Sequence, residues 1–113
     1  MKLVALAAII AALVVPSALA ATPTLTGTVG PGFTITLKKG TAKVTKLKAG
    51  SYVIKVSDKS NIHNFRLKGP GVNKSTSVGG TGTSTWKVTL KKGKYTFVCD
   101  PHASIIKGSF TVS

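Results

Sequence analysis

Three side chains in this sequence carry the donor types that bind soft metals or attack electrophiles: His63, Cys99 and His102. Cys99 is the only cysteine, and the two histidines are the only ones in the chain. Cys99 and His102 lie three residues apart, in Tyr95-Thr-Phe-Val-Cys-Asp-Pro-His, at the end of a run that alternates like a strand. A Cys–His nucleophile needs the pair side by side and a third group to orient the imidazole. Asp58 and Asp100 are the only acidic residues, and no oxyanion or acid–base set accompanies them, so the residues do not read as an enzyme. Imidazole and thiolate together select copper, zinc or iron among the common metals, and two histidines with one cysteine in a trigonal array is one such ligand set. A buried structural thiol and an intermolecular disulfide are the alternatives at this point.

These residues sit in a chain of 113 residues, enough for one domain. The first twenty read as a cleavable secretory leader: Lys2, an apolar run over residues 3–15, then Ala18-Leu19-Ala20 before the expected cut. The apolar run is shorter than the ~20 residues a spanning helix needs. The expected mature domain is residues 21–113, exported to the periplasm, cell envelope or exterior. With one cysteine it has no disulfide within the chain, which is unusual for an exported protein.

Period-two alternation recurs through the domain, and no window shows helical periodicity. Strands are expected at 33–38, with Phe33, Ile35 and Leu37 on one face, and at 52–56, 62–68, 85–91, 94–99 and 108–112. Shorter candidates lie at 24–29 and 42–46. Lys39-Gly40, Ala49-Gly50 and Lys92-Gly93 mark turns, and the pattern Leu-Lys-x-Gly-x-Tyr occurs at 47–52 and again at 90–95. Residues 69–83, rich in glycine and small polar side chains, read as a loop. Seven or eight short strands without a helix predict an all-β fold, an antiparallel Greek-key β-sandwich. Strand parity places His63 and Cys99 on inward faces.

The charge is one-sided: 16 Lys and Arg against 2 Asp and Glu, a net charge of +14. Without Lys2 the domain carries +13, nearly all of it lysine, with Arg66 the single arginine. No basic run interleaved with aromatics suggests nucleic-acid binding. The lysines, spread singly along alternating strands, read either as a solvated outer face or as an attraction for acidic partner proteins or an anionic membrane surface.

His63-Asn64-Phe65, the Cys99-Asp-Pro-His102 loop and Lys107-Gly108-Ser-Phe-Thr-Val112 together resemble the blue-copper (cupredoxin) family of plastocyanins, amicyanins and pseudoazurins, over about residues 45–113. The resemblance implies one type 1 copper ion held by His63, Cys99 and His102. It implies that Asn64 ties the two ligand loops together and that Pro101 keeps a second N–H away from the cysteine sulfur. It also implies an electron carrier, expected to be a monomer, docking through an apolar patch around His102 to which Pro70, Pro101, Ala103 and Ile105 are candidate contributors. The family's axial methionine has no counterpart: Ile106 stands in its place, and the only methionine is Met1. Three readings follow. The site is three-coordinate under an apolar lid, or the Ile62 carbonyl approaches it, or the metal has been lost and a cationic β-sandwich remains. A copper-holding protein without electron transfer is the alternative within the first two.

Overall fold

Alternation in Thr24–Val29 turns Leu25, Gly27 and Val29 inward and leaves the threonines facing out, which gives the first strand, β1. The same logic generates the rest of a computed structural model describing residues 21–113; the leader expected over residues 1–20 lies outside the described residues. After β1 come β2 (Ile35–Lys39), β3 (Ala42–Lys43), β4 (Lys46–Leu47), β5 (Gly50–Asp58) and β6 (Arg66–Gly69). Then follow β7 (Val72–Ser75), β8 (Gly82–Leu90), β9 (Gly93–Val98), a single 3-10 turn over Asp100–His102, and β10 (Lys107–Val112). They form two five-stranded sheets, β3-β2-β1-β5-β8 and β4-β10-β9-β6-β7. Most pairs are antiparallel, while β1–β5 and β4–β10 run parallel.

The expected all-β sandwich is therefore present, with ten β segments rather than seven or eight. One extra segment arises because the strand expected at 42–46 is split into two two-residue pieces, β3 and β4. The other, β7, lies inside the stretch expected to be a loop. Only Val72 of its residues is buried, so no alternation betrays it, and it is held by antiparallel pairing with β6. The strand expected at 62–68 begins only at Arg66, leaving His63 and Asn64 in the preceding loop.

Aromatic rings fill the space between the sheets. Phe65 stacks on Phe97 at 5.9 Å and Tyr95 on Phe110 at 5.3 Å between centroids; each such pair adds about 1 kcal/mol beyond the area it buries. The rings fit because glycines face them. A Cβ on Gly27 would stand 2.8 Å from the Phe65 ring, and one on Gly108 would collide with Phe97.

The repeated Leu-Lys-x-Gly-x-Tyr pattern has a shared geometry. Gly50 and Gly93 take φ of 150° and 143° at the strand starts. In the first copy Tyr52 Oη donates to the Lys48 carbonyl at 2.8 Å. In the second, Tyr95 Oη accepts from Lys91 N–H at 2.9 Å and donates to the Pro70 carbonyl at 2.8 Å. In each copy the tyrosine hydroxyl ties back to the lysine four residues upstream, fixing the corner from which β5 or β9 departs. Both corners lie at one end of the sandwich. The candidate metal ligands lie at the other, where β5 ends at Asp58 and β9 at Val98.

Candidate metal centre

Cys99 leaves β9 with its side chain inward and fully buried. Pro101 stands within the 3-10 turn that follows, a position that needs no N–H donor. The turn brings His102 back over Cys99. His102 N–H donates to the Cys99 carbonyl at 3.0 Å, Ile106 N–H to the His102 carbonyl at 2.8 Å, and Cys99 N–H to the Ile106 carbonyl at 3.0 Å. His63 arrives from the loop between β5 and β6, fully buried.

The three sequence-predicted ligands meet in one cluster. His63 Nδ1 lies 3.2 Å from His102 Nδ1. Cys99 Sγ lies 3.6 Å from His63 Nδ1 and 3.5 Å from His102 Nδ1. A point equidistant from three atoms so spaced is about 2.0 Å from each, close to first-row metal–imidazole lengths and somewhat short for a metal–thiolate bond. His63 Nε2 is buried and has no hydrogen-bond partner, so a proton there leaves the Nδ1 lone pair turned to the cluster. Three inward-facing donors cannot all satisfy one another by hydrogen bonds, whereas one cation satisfies all three. The residues fit a His2Cys type 1 copper site. The Ile106 side chain, 1% exposed, offers no donor.

A polar network braces the two ligand loops. Asn64 Oδ1 accepts from Asp100 N–H at 2.7 Å, and Asn64 Nδ2 donates to Asp100 Oδ2 at 2.8 Å and to the Thr76 carbonyl at 3.3 Å. Asn64 follows one ligand and Asp100 another, so these bonds set the separation of His63 and Cys99. Arg66 extends the brace, donating from Nε and Nη2 to Asp100 and from Nη1 to Asn73 Oδ1 at 2.7 Å. The hydrogen bonds from Arg66 hold the Asp100 carboxyl below the usual carboxylate range and raise Arg66 in turn. Asp58, 4% exposed, accepts from Ser60 N–H at 3.0 Å and from Thr76 Oγ1 at 3.2 Å. Both carboxylate side chains of the chain and its only arginine are thus engaged around the ligand loops. Asp100 faces Arg66 and Asn64 rather than an imidazole, so no nucleophile–base–acid arrangement forms here.

Of the residues expected near His102, Ala103 and Ile105 are exposed beside it, and Pro101 is exposed on the same turn. Pro70 is elsewhere. β6 runs antiparallel to β9 from the Arg66–Val98 pair toward Lys68–Thr96, so each step beyond Arg66 leads away from Cys99. Pro70 ends against Gly93 and Tyr95, at the corner end.

Phe33 takes the place that sequence reasoning gave to Pro70. Expected inside a strand, it lies instead in the loop before β2 and is 56% exposed. Its ring sits edge-on to both histidines, 4.8 Å from the centroid of each. The Gly30-Pro31-Gly32 turn, which delays the start of β2, was the available signal.

The comparisons agree with this geometry. No curated protein sequence matches the chain. Among solved structures, rusticyanin from Thiobacillus ferrooxidans superposes with a TM-score of 0.55 at 19% identity, covering 80% of this chain and 76% of that one. A methionine-to-glutamine variant of rusticyanin gives 0.59 at 20% identity, with coverage of 80% and 76%. Auracyanin from Roseiflexus castenholzii, reduced with dithionite, gives 0.57 at 19% identity, covering 83% of this chain and 99% of that one. At such identities these likenesses establish the shared fold. A model of the cupredoxin-like domain matches residues 3–112, and with it the sandwich and the His2Cys cluster find their common explanation: the chain belongs to the cupredoxin-like domain family.

Proposed function

We propose that the protein is an exported one-electron carrier in which His63, Cys99 and His102 hold one type 1 copper ion. The observation that carries this reading is the triangle of His63 Nδ1, His102 Nδ1 and Cys99 Sγ, whose sides lie between 3.2 and 3.6 Å. Two structural relatives support it: rusticyanin is a copper protein, and rusticyanin and auracyanin have both been observed in reduced form. Copper, when bound, supplies the one-electron chemistry by alternating between its +1 and +2 states.

The chain's own residues supply rigidity and access. The Asn64–Asp100–Arg66 brace holds the ligand loops at a fixed separation, so the site changes little between oxidation states. Buried His63, Cys99 and Ile106 exclude water. His102, partly exposed, is the exit for the electron. Around it Phe33, Ile62 and Ile105 are 56%, 52% and 66% exposed, and Ala103 completes an apolar docking end. Segments 30–34, 60–64, 76–81 and 101–106 carry no charged side chain. Acidic redox partners are attracted by the exposed lysines nearest this end, Lys59 and Lys107, and dock on this uncharged surface, an attraction that salt weakens.

The test is addition of Cu(II) to the purified protein, followed by voltammetry at low and high salt with an acidic redox partner. An intense thiolate-to-copper band in the visible and a reversible one-electron couple are expected, with exchange slowing as salt rises. A colourless protein with a free thiol would end the copper reading. Bound copper without a reversible couple would make the protein a copper holder instead.

Phe33 gives a sharper check of access. Phe33→Ala is expected to leave the unfolding midpoint nearly unchanged, because the ring is more than half exposed. It is also expected to admit small anions to the metal, read as an azide-induced change in the visible spectrum that the parent protein lacks. Identical azide titrations of the two proteins would show that Phe33 does not guard the site.

A further inference from the structure

The lysines form a pattern of their own. Three surface depressions at the corner end share walls. The first, between β4 and the start of β5, is lined by Lys39, Lys46 and Lys48 and reaches Ser51 and Tyr52. The second is lined by Ser51 and Tyr52 and reaches Lys87, Val88 and Thr89. The third shares those three residues and continues to Lys74 and Lys91, crossing from the β8 edge of one sheet to the β7 edge of the other. Lys91 lies along it, its Nζ 3.6 Å from the place a Cβ on Gly71 would take. Together they make one continuous track with six lysines along its length.

Neither aspartate lines this track, although Ser113 lines the first depression. Asp58 sits at the far end of the nine-residue strand that starts at Gly50, roughly 25 Å away at ~3.3 Å per residue. Asp58 is thus about three Debye lengths from the start of the track at physiological salt. Asp100 lies nearer its Lys74 end, since Arg66 bonds both Asp100 and Asn73, but that carboxylate is already paired with Arg66.

We infer that the track binds a linear acidic polysaccharide. A continuous groove suits a polymer better than a compact anion. Lysine, a strongly hydrated point charge, suits repeated and non-stereospecific contacts with carboxylate or sulfate groups. Between the lysines lie Ser51, Thr89, Thr22 and Asn73, which offer hydroxyl and amide groups to sugar hydroxyls. A bilayer is the poorer fit: the large exposed apolar side chains, Phe33, Ile62, Val78 and Ile105, lie on loops and turns away from these grooves. A single-stranded nucleic acid would need exposed aromatic rings for stacking, and the track has only buried Tyr52. Bound in this way, the protein would be held on an anionic matrix with its metal end turned outward.

The test is calorimetric titration of the protein with polygalacturonate, with and without copper, so that failure of the copper reading leaves the result intact. Binding is expected in both forms and is expected to weaken steeply with salt, while uncharged dextran is not expected to bind. Replacing Lys46, Lys48 and Lys87 with glutamine is expected to weaken binding by about tenfold or more. Replacing Lys43, Lys59 and Lys107, which removes the same charge and touches none of the three depressions, is expected to change it less than about twofold. Thermal melts of both triple variants check that the fold is kept. Equal losses in the two variants would reduce the effect to net charge and overturn the track. Absence of binding would overturn it too, as would tighter binding of polyphosphate or of phosphatidylglycerol vesicles than of polygalacturonate.

Discussion

Cys99→Ser is expected to abolish the visible absorption of the copper-loaded protein and to weaken copper binding by more than about 100-fold, since altering a group that merely supports a ligand already costs ~10–100-fold. The serine hydroxyl is nearly isosteric but stays protonated at neutral pH, so the buried pocket loses its only soft anionic donor. His63 and His102 remain, 3.2 Å apart at Nδ1, and can still bind copper weakly. The expected signature is therefore a colourless protein with residual affinity, measured by competition with a chromophoric chelator. The fold is expected to survive, because the core around Phe65, Phe97 and Phe110 does not depend on the sulfur. A variant that kept the band would show that the colour arises at another site.

Ile106→Met is expected to lower the reduction potential. At the axial position that the resemblance implies, the buried apolar Ile106 would exclude water and give no electron density to bound copper, and both effects would favour the less charged Cu(I) state. His63 acts in the same direction. Its buried Nε2 has no hydrogen-bond partner, and the carbonyl or carboxylate usually found there raises a ligand's basicity. A methionine sulfur at position 106 would favour Cu(II), and each tenfold change in that preference moves a one-electron potential by about 59 mV. A drop of about one such step, read by voltammetry, is the expected result. A potential that stayed put or rose would remove Ile106 from the account of this site.

The residue types and spacings that singled out His63, Cys99 and His102 carried most of the site, because few side chains bind soft metals and this chain has only three of the strongest. Alternation carried most of the sandwich for a related reason: one buried face leaves a period of two in the sequence. What escaped lacks such a signature. Strand β7 shows a single inward residue, Val72, and is held by backbone pairing with β6. Phe33 fits the alternation of 33–38, yet the turn at Gly30-Pro31-Gly32 delays the strand and turns the ring onto the histidines. Pro70 is close to His63 in number but far along β6 in space. The Arg66–Asp100 pair joins residues 34 apart, and only the register of β6 against β9 brings them together.

The segment from Cys99 to Ile106 closes on itself through Cys99 N–H and the Ile106 carbonyl, and its remaining backbone bonds run inward to Cys99 and His102. Two of the three proposed ligands and Ile106 thus occupy one short cassette hung between two paired strands. The rest of the molecule offers a socket: His63, Asn64 and the stacked rings beneath. Such a division lets the electronic character of the centre be rewritten by exchanging eight contiguous residues. Loops of other lengths or with other axial residues could be grafted between Val98 and Lys107 and received by an unaltered sandwich.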